Sequence, residues 1–252
     1  MENKTKKVIL ITGASSGIGK ALAKLLISDG ETVIGIARRK EELLKLNNEI
    51  SPPLFQYFVC DVSDTKSVDN LVSDLINKKI EPDVVICAAS ISENDYDPVY
   101  NNSKFREIME INFFGTMNIV NTFYPHFIKR KSGHFISLSS ISAFKPSNKS
   151  ISYGASKAAI AMAFRGLQLD SRNKNNNVDF STIYLGPVNT QMWEGKKSFV
   201  VAEPDYIAKK IQKIIKYPKT TIYLPFLSTT LFRISLLIPD FLYVRLSKYL
   251  FK

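Results

Sequence analysis

"ILITGASSGIGKAL", Ile9–Leu22, decides how this chain is read. An apolar run ending at Thr12 stops at Gly13; Gly17 and Gly19 follow, and a helical pattern opens immediately after them. Glycines between a strand and a helix permit a tight turn and let backbone N–H groups approach a pyrophosphate closely. The helix N-terminus adds partial positive charge. A glycine-rich turn that binds nothing would carry the same glycines, but here the phosphate-binding pattern has both the strand it needs before it and the helix it needs after it.

Outward from this loop, apolar runs alternate with helical patterns along the chain. Strands are expected at Val8–Thr12, Thr32–Ala37, Leu54–Cys60, Asp83–Ala88, Gly133–Ser139, Val178–Leu185 and Thr221–Pro225. Several are continuously apolar, as strands covered on both faces are. Helices are expected at Gly17–Ser28, Lys40–Asn48, Thr65–Asn77, Ser103–Arg130 (as two helices or with a bend), Tyr153–Asn173 and Pro204–Tyr217. The pattern predicts an α/β, Rossmann-like, doubly wound parallel sheet of about seven strands with helices on both faces. Such a sheet binds ligands beyond the carboxyl ends of its strands.

The 252 residues, 45% hydrophobic, suffice for one such domain. The opening "MENKTKKVILITG" has too short an apolar run for a signal or a membrane span, so a cytoplasmic protein is expected. Cys60 and Cys87 lie in strand-like runs without metal or CxxC spacing and read as buried free thiols. His126 and His134 stand apart, suiting a helix surface and a strand edge. The net charge of +11 is concentrated late: Lys209, Lys210, Lys213, Lys216, Lys219, Arg233, Arg245, Lys248 and Lys252 face only Asp205 and Asp240 after residue 204. Solvated helix faces or an anionic membrane surface would each account for it; no nucleic-acid motif accompanies it.

Two tyrosine–lysine pairs share i,i+4 spacing: Tyr153 and Lys157 in "SYGASKAAIAM", and Tyr206 and Lys210 in "DYIAKKIQKII". Residues four apart share a helix face, and a nearby ammonium stabilises a phenolate whose free pKa is near ~10. Spacing cannot separate the pairs. Context does, because Ser140 stands thirteen residues before Tyr153 at the end of the strand "GHFISLSS", whereas the second pair lies in a lysine-rich helix with a natural solvated face.

"TGASSGIG", Thr12–Gly19, resembles the cofactor loop of the short-chain dehydrogenase/reductase family, TGxxxGxG. The resemblance extends over about Lys7 to Phe226. It implies that Gly13, Ser15, Ser16, Gly17, Ile18 and Gly19 cradle the cofactor, and that Asp61, with Val62 beside it, contacts adenine. It also implies a catalytic set of Asn112 (in "EINFFG"), Ser140, Tyr153 and Lys157. In that set Tyr153 exchanges a proton with a substrate oxygen, Ser140 hydrogen-bonds that oxygen, Lys157 holds the nicotinamide ribose and lowers the tyrosine pKa, and Asn112 positions a relay water. "YLGPVNTQM" resembles the family's PGxVxT, so Gly186, Val188 and Thr190 would close over the nicotinamide, although Leu185 replaces the usual proline. The family's NNAG reads "CAAS" here: Ala88 and Ala89 still permit close approach to the cofactor, but the missing asparagine puts local rigidity in doubt.

Cofactor selectivity is set near the end of strand two, where a carboxylate binds the NAD ribose and an arginine accommodates the NADP phosphate. "VIGIARRKEEL" places Ala37 where the acid would sit, then Arg38 and Arg39, which points to NADP(H). The expectation is therefore an NADP(H)-dependent oxidoreductase acting on a hydrophobic carbonyl or alcohol. A non-catalytic NADP-binding sensor or scaffold is the alternative. The family implies a homodimer or homotetramer. Residues 1–226 would form the catalytic domain and 227–252 an apolar-basic extension, for membrane contact or for packing. Met192, Trp193, Phe199, Val200 and Val201 would wall the substrate, with Lys196 and Lys197 as surface charge; Arg245, Lys248 and Lys252 would lie opposite Leu242, Leu246 and Leu250 on a tail helix.

Overall fold

Runs rich in β-branched and aromatic residues form seven strands: β1 (Val8–Thr12), β2 (Thr32–Ala37), β3 (Phe55–Val59), β4 (Val84–Cys87), β5 (Gly133–Ser140), β6 (Val178–Leu185) and β7 (Thr221–Leu224). The computed structural model describes residues 6–50, 53–93, 95, 100–145, 150–193, 201–239, 241–242 and 245. The strands pair in parallel in the order β3-β2-β1-β4-β5-β6-β7. Strand order reverses between β1 and β4, so the crevice at their carboxyl ends is the topological switch point.

The helices are α1 (Gly17–Ser28), α2 (Lys40–Glu49), α3 (Thr65–Asn77), α4 (Asn102–Met109), α5 (Gly115–Arg130), α6 (Ile151–Asn173), α7 (Pro204–Lys216) and α8 (Phe226–Ser235). Side chains define several of their starts. Asp64 accepts from the Lys66 N–H ahead of α3, Asn101 from the Ser103 and Lys104 N–H groups ahead of α4, and Pro204 opens α7. The expected Ser103–Arg130 stretch is indeed two helices, joined by a π-helical turn at Glu110–Phe114. Such turns insert a residue and re-aim side chains, often at functional sites.

One core layer packs α1, α2 and α7 against the sheet through Leu22, Leu26, Leu43, Leu46, Ile207 and Ile211. The other packs α3, α5 and α6 through Leu71, Ile119, Phe127, Ile160 and Phe164. Phe135 and Phe180 stack at 5.1 Å under this second layer. Each such side chain contributes roughly 1.5–3 kcal/mol by burial. The connections through α5 and α6 step along the sheet on one face, whereas the last step, β6 to β7, runs through α7 on the opposite face. That crossover therefore has the uncommon left hand. Its consequence is positional: the chain leaving β6 must cross the carboxyl end of the sheet to reach the α1 side.

His134 corrects one expectation. It is buried in the interior strand β5, where its Nε2 pairs with the Ser181 hydroxyl at 2.8 Å, and burial pushes its pKa down to about 3. His126 lies on the exposed surface of α5, and Cys60 and Cys87 are buried free thiols. Among the described residues no helix is long and apolar enough to cross a membrane, and no cluster of metal-ligating side chains occurs.

Candidate active site

The carboxyl end of β1 turns at Gly13, whose φ is +70°; an added methyl there would stand 2.9 Å from the Ala89 backbone. This loop and the start of the post-β4 segment thus lie backbone to backbone. Thr12 fastens them, its hydroxyl oxygen accepting from the N–H groups of both Ala88 and Ala89 at 3.0 Å. These two bonds hold the backbone of the "CAAS" segment to β1. Ser16 precedes α1 without capping it by its side chain, which leaves the first N–H groups of that helix directed at the crevice.

Arg39 reaches across from the end of β2. Its Nη2 donates to the Ser15 and Ser16 hydroxyls at 3.1 and 2.8 Å, while Arg38 Nη1 lies 3.8 Å from Asp61 Oδ2. Asp61 also accepts from the Ser63 N–H and hydroxyl. Val62 is buried against Gly115 and accepts from Asn118 through its carbonyl, so it anchors α5 as well as bordering the crevice.

The proton-transfer candidates gather beyond β5. Ser140, the last residue of that strand, accepts from the Ser142 N–H and pairs with the Ser142 hydroxyl at 3.2 Å. Half-buried Tyr153, on the first turn of α6, places its phenol near the Ser140 hydroxyl. One turn on, Lys157 Nζ lies 5.4 Å from the Tyr153 ring centre and donates to the Leu138 carbonyl at 2.9 Å. The pair Tyr206 and Lys210 has nearly the same internal geometry, at 5.2 Å, but Tyr206 is exposed on α7 with no hydroxyl companion among its described contacts. Burial and Ser140 distinguish the first pair, as its context implies.

Asn112 sits in the π-helical turn. Its Oδ1 accepts from the Ile91 N–H at 2.8 Å, and its Nδ2 donates to the Ile91 carbonyl at 2.9 Å and the Ser156 hydroxyl at 3.0 Å. Its side chain thus ties the post-β4 segment to α6.

The titration behaviour differs from the expectation that Lys157 lowers the Tyr153 pKa. Burial raises the phenol above its usual value, opposed only by the Ser140 hydrogen bond. Burial likewise lowers Lys157 to about 7, with Cys87 acting weakly the other way. With its folded pKa below its unfolded one, Lys157 destabilises the fold fully below about pH 7, and stability returns as pH rises toward the free-lysine value of ~10.4. Replacing Lys157 with methionine should therefore help stability most near pH 6 and progressively less toward pH 10. Urea unfolding of both proteins at pH 6, 8 and 10 checks this; a pH-independent difference would refute it.

After β6 the chain crosses the sheet end as the left-handed step demands. A methyl on Gly17 would stand 3.3 Å from Thr190 Cγ2, so the Gly186–Thr190 segment closes over the phosphate loop. Val188 bridges to Ala202, closing the base of a longer excursion. Met192 and Trp193 on it are exposed and Val201 is half-buried; Lys196, Lys197, Phe199 and Val200 lie outside the described residues. An aromatic tier, unforeseen from the sequence, runs from Phe144 to Tyr184 (4.6 Å) to Tyr223 (5.1 Å) and ends under Arg233 of α8 (4.3 Å). Lys145 Nζ donates to the Ser235 and Ile238 carbonyls, holding the far end of α8 near the serine turn. Of the expected tail stripe, Leu242 and Arg245 are described and exposed; Leu246, Lys248, Leu250 and Lys252 lie outside the described residues.

An uncapped helix N-terminus, a loop that a Cβ would block and two flanking guanidinium groups suit a dinucleotide pyrophosphate. Residues 7–200 match the family model described as short chain dehydrogenase. An uncharacterised oxidoreductase of Listeria monocytogenes is 34% identical over 190 residues, covering 75% of this chain and 77% of that protein. A fatty acyl-CoA reductase of Acinetobacter baylyi is 32% identical over 226 residues, covering 86% of this chain and 76% of that protein. A short-chain dehydrogenase from Streptomyces avermitilis superposes with a TM-score of 0.80 at 23% identity, covering 97% of each chain. The family match spans most of the chain and the parallel sheet agrees with it: this is an oxidoreductase of the short-chain dehydrogenase/reductase family.

Proposed function

We propose that the protein is an NADP(H)-dependent reductase or dehydrogenase that interconverts a hydrophobic carbonyl compound and its alcohol, with Tyr153 as general acid and base. The observation that carries this reading is the Tyr153 phenol near the Ser140 hydroxyl and beside buried Lys157 at the carboxyl end of β5. In the reducing direction Tyr153 gives its proton to the substrate oxygen while Ser140 donates a hydrogen bond to it, spreading the charge that develops there. The nicotinamide, when bound, supplies the hydride. Lys157 holds the ribose and, in its cationic form, favours the phenolate that proton donation leaves behind. Asn112 steadies the segment carrying Ala88 and Ala89, and positions the water of the proton relay. Gly13, Ser15, Ser16, Gly17, Ile18 and Gly19 hold the pyrophosphate; Arg38 and Arg39 take the 2′-phosphate; Asp61 and Val62 border the adenine; Gly186, Val188 and Thr190 cover the nicotinamide.

An apolar substrate is supported by exposed Met192 and Trp193, the latter bonded through its N–H to the Thr190 carbonyl, and by the similarity to a fatty acyl-CoA reductase. Phe226, Leu227, Leu231, Ile234, Leu237 and Phe241, each more than half exposed, support peripheral contact of the tail with an anionic membrane, alongside exposed Arg233 and Arg245. Met162 and Leu169, exposed on α6, support a homo-oligomer.

The test is NADPH oxidation measured against aldehydes and ketones of rising chain length, with and without vesicles containing anionic lipid. The expected result is kcat/KM rising with chain length, and co-flotation of protein with vesicles. Cofactor binding without turnover on any carbonyl would overturn the enzyme reading in favour of a sensor or scaffold; absence of flotation would remove the membrane contact alone.

A further inference from the structure

Tyr153 lies on the first turn of α6, where N–H groups have no partners within the helix. Ser150 precedes the helix but does not cap it with its side chain. The acceptor comes instead from 56 residues upstream. Asp95, 1% exposed, accepts from the Ile151 N–H through Oδ1 at 2.9 Å and from the Ser152 N–H through Oδ2 at 2.6 Å. Two further bonds tie the same strap down: the Ser150 hydroxyl donates to the Glu93 carbonyl at 3.1 Å, and the Asn101 N–H donates to the Asp95 carbonyl at 2.9 Å.

The other side of Tyr153 is held as well. Its carbonyl accepts from the Ser156 hydroxyl at 2.8 Å, and that hydroxyl accepts from Asn112. Asn112 in turn grips Ile91. Hence Glu93 and Asp95 directly, and Ile91 through Asn112, hold α6 on both sides of the phenol, while Ala88 and Ala89, just upstream, lie against the phosphate loop.

We propose that Asp95 is a positioning residue for the proton donor: by fixing the N–H groups of Ile151 and Ser152 it sets where the first turn of α6 presents Tyr153 to Ser140. The inference rests on the acid–base role given to Tyr153 above. A carboxylate suits the task because it offers two acceptors at once and favours a helix N-terminus. Burial works against its charge, but the neighbouring Ser152 and the bonds from the backbone N–H groups of Ile151 and Ser152 outweigh that and hold it below the usual carboxylate range. Proton transfer is sensitive to sub-ångström placement; a shift of about 1 Å can cost on the order of 10²-fold in rate.

The test uses the full chain with Asp95→Ala and Asp95→Asn, the latter isosteric and retaining one acceptor. Both are assayed at saturating NADPH, well below their own unfolding temperatures, with the carbonyl on which the wild type is most active. The expected result is a kcat reduced roughly 30-fold or more in Asp95→Ala and about 10-fold in Asp95→Asn. NADPH affinity should stay within about 2-fold, and the solvent deuterium isotope effect on kcat should increase as proton delivery becomes limiting. A wild-type kcat in folded Asp95→Asn, an unchanged isotope effect, or a loss matched by lost cofactor affinity would overturn the proposal. Tyr153→Phe run in parallel separates the two claims. An active Tyr153→Phe defeats the acid–base reading, whereas an inactive one beside fully active Asp95 variants defeats the positioning role alone.

Discussion

Replacing Tyr153 with phenylalanine should lower kcat/KM by about 10³-fold while leaving NADPH binding within a few-fold of wild type. The substitution removes one oxygen and keeps the ring, so the surroundings of α6 need not move. That oxygen lies near the Ser140 hydroxyl, and general acid catalysis by a placed side chain is worth roughly 10²–10⁴-fold. An effect in the middle of that range follows from the setting. Burial keeps the phenol protonated near neutrality, the form needed to reduce a carbonyl, and Ser140 remains available to stabilise the oxygen even without the proton. Steady-state turnover together with cofactor titration by fluorescence checks the expectation. A Phe variant retaining more than a tenth of wild-type activity would show that the proton comes from elsewhere.

The second large effect concerns the choice between nucleotides. Changing Arg38 and Arg39 together to glutamine should raise KM for NADPH on the order of 150-fold and that for NADH less than 3-fold. Hydrogen bonds to charged partners contribute about 1.5–3 kcal/mol each, and the lower end applies because the Arg38 side chain is half exposed and already lies near Asp61. Arg39 complicates the outcome usefully. Its bonds to Ser15 and Ser16 brace the phosphate loop, and a purely bracing role would weaken both nucleotides alike. Equal losses for NADPH and NADH would therefore refute the 2′-phosphate assignment and leave Arg39 as a latch. Initial rates with each nucleotide, for the single and double variants, distinguish these cases.

The fold was readable from residues because strand and helix patterns repeat without ambiguity. β1, β2 and β6 and helices α1 and α3 begin and end as the sequence implies, and the other strands shift by a residue at one or both ends. The site was readable where chemistry and spacing coincide, as for Ser140, Tyr153 and Lys157. What escaped were partnerships across long sequence gaps. Nothing near Thr12 announces that its hydroxyl holds the backbone just beyond β4, because the two segments meet only through strand pairing. Asp95 was equally silent, an acid in an irregular stretch that acquires meaning only when α6 arrives above it. Tyr153 illustrates a different gap: charge proximity argues for a lowered pKa, whereas burial acts on phenol and ammonium together, raising the one and lowering the other. His134 failed for a related reason, since a strand's place within the sheet is not written in its own residues.

Gly186 bears on how this molecule can diverge. A methyl on it would meet the Ser228 hydroxyl of α8 at 2.7 Å, so the ribbon leaving β6 and the first turn of α8 share one seam. Positions 186 and 228 are therefore constrained as a couple: bulk gained at either demands retreat of the other. The first turn of α8 is thereby part of the wall against which the chain leaving β6 is laid, rather than an appendage.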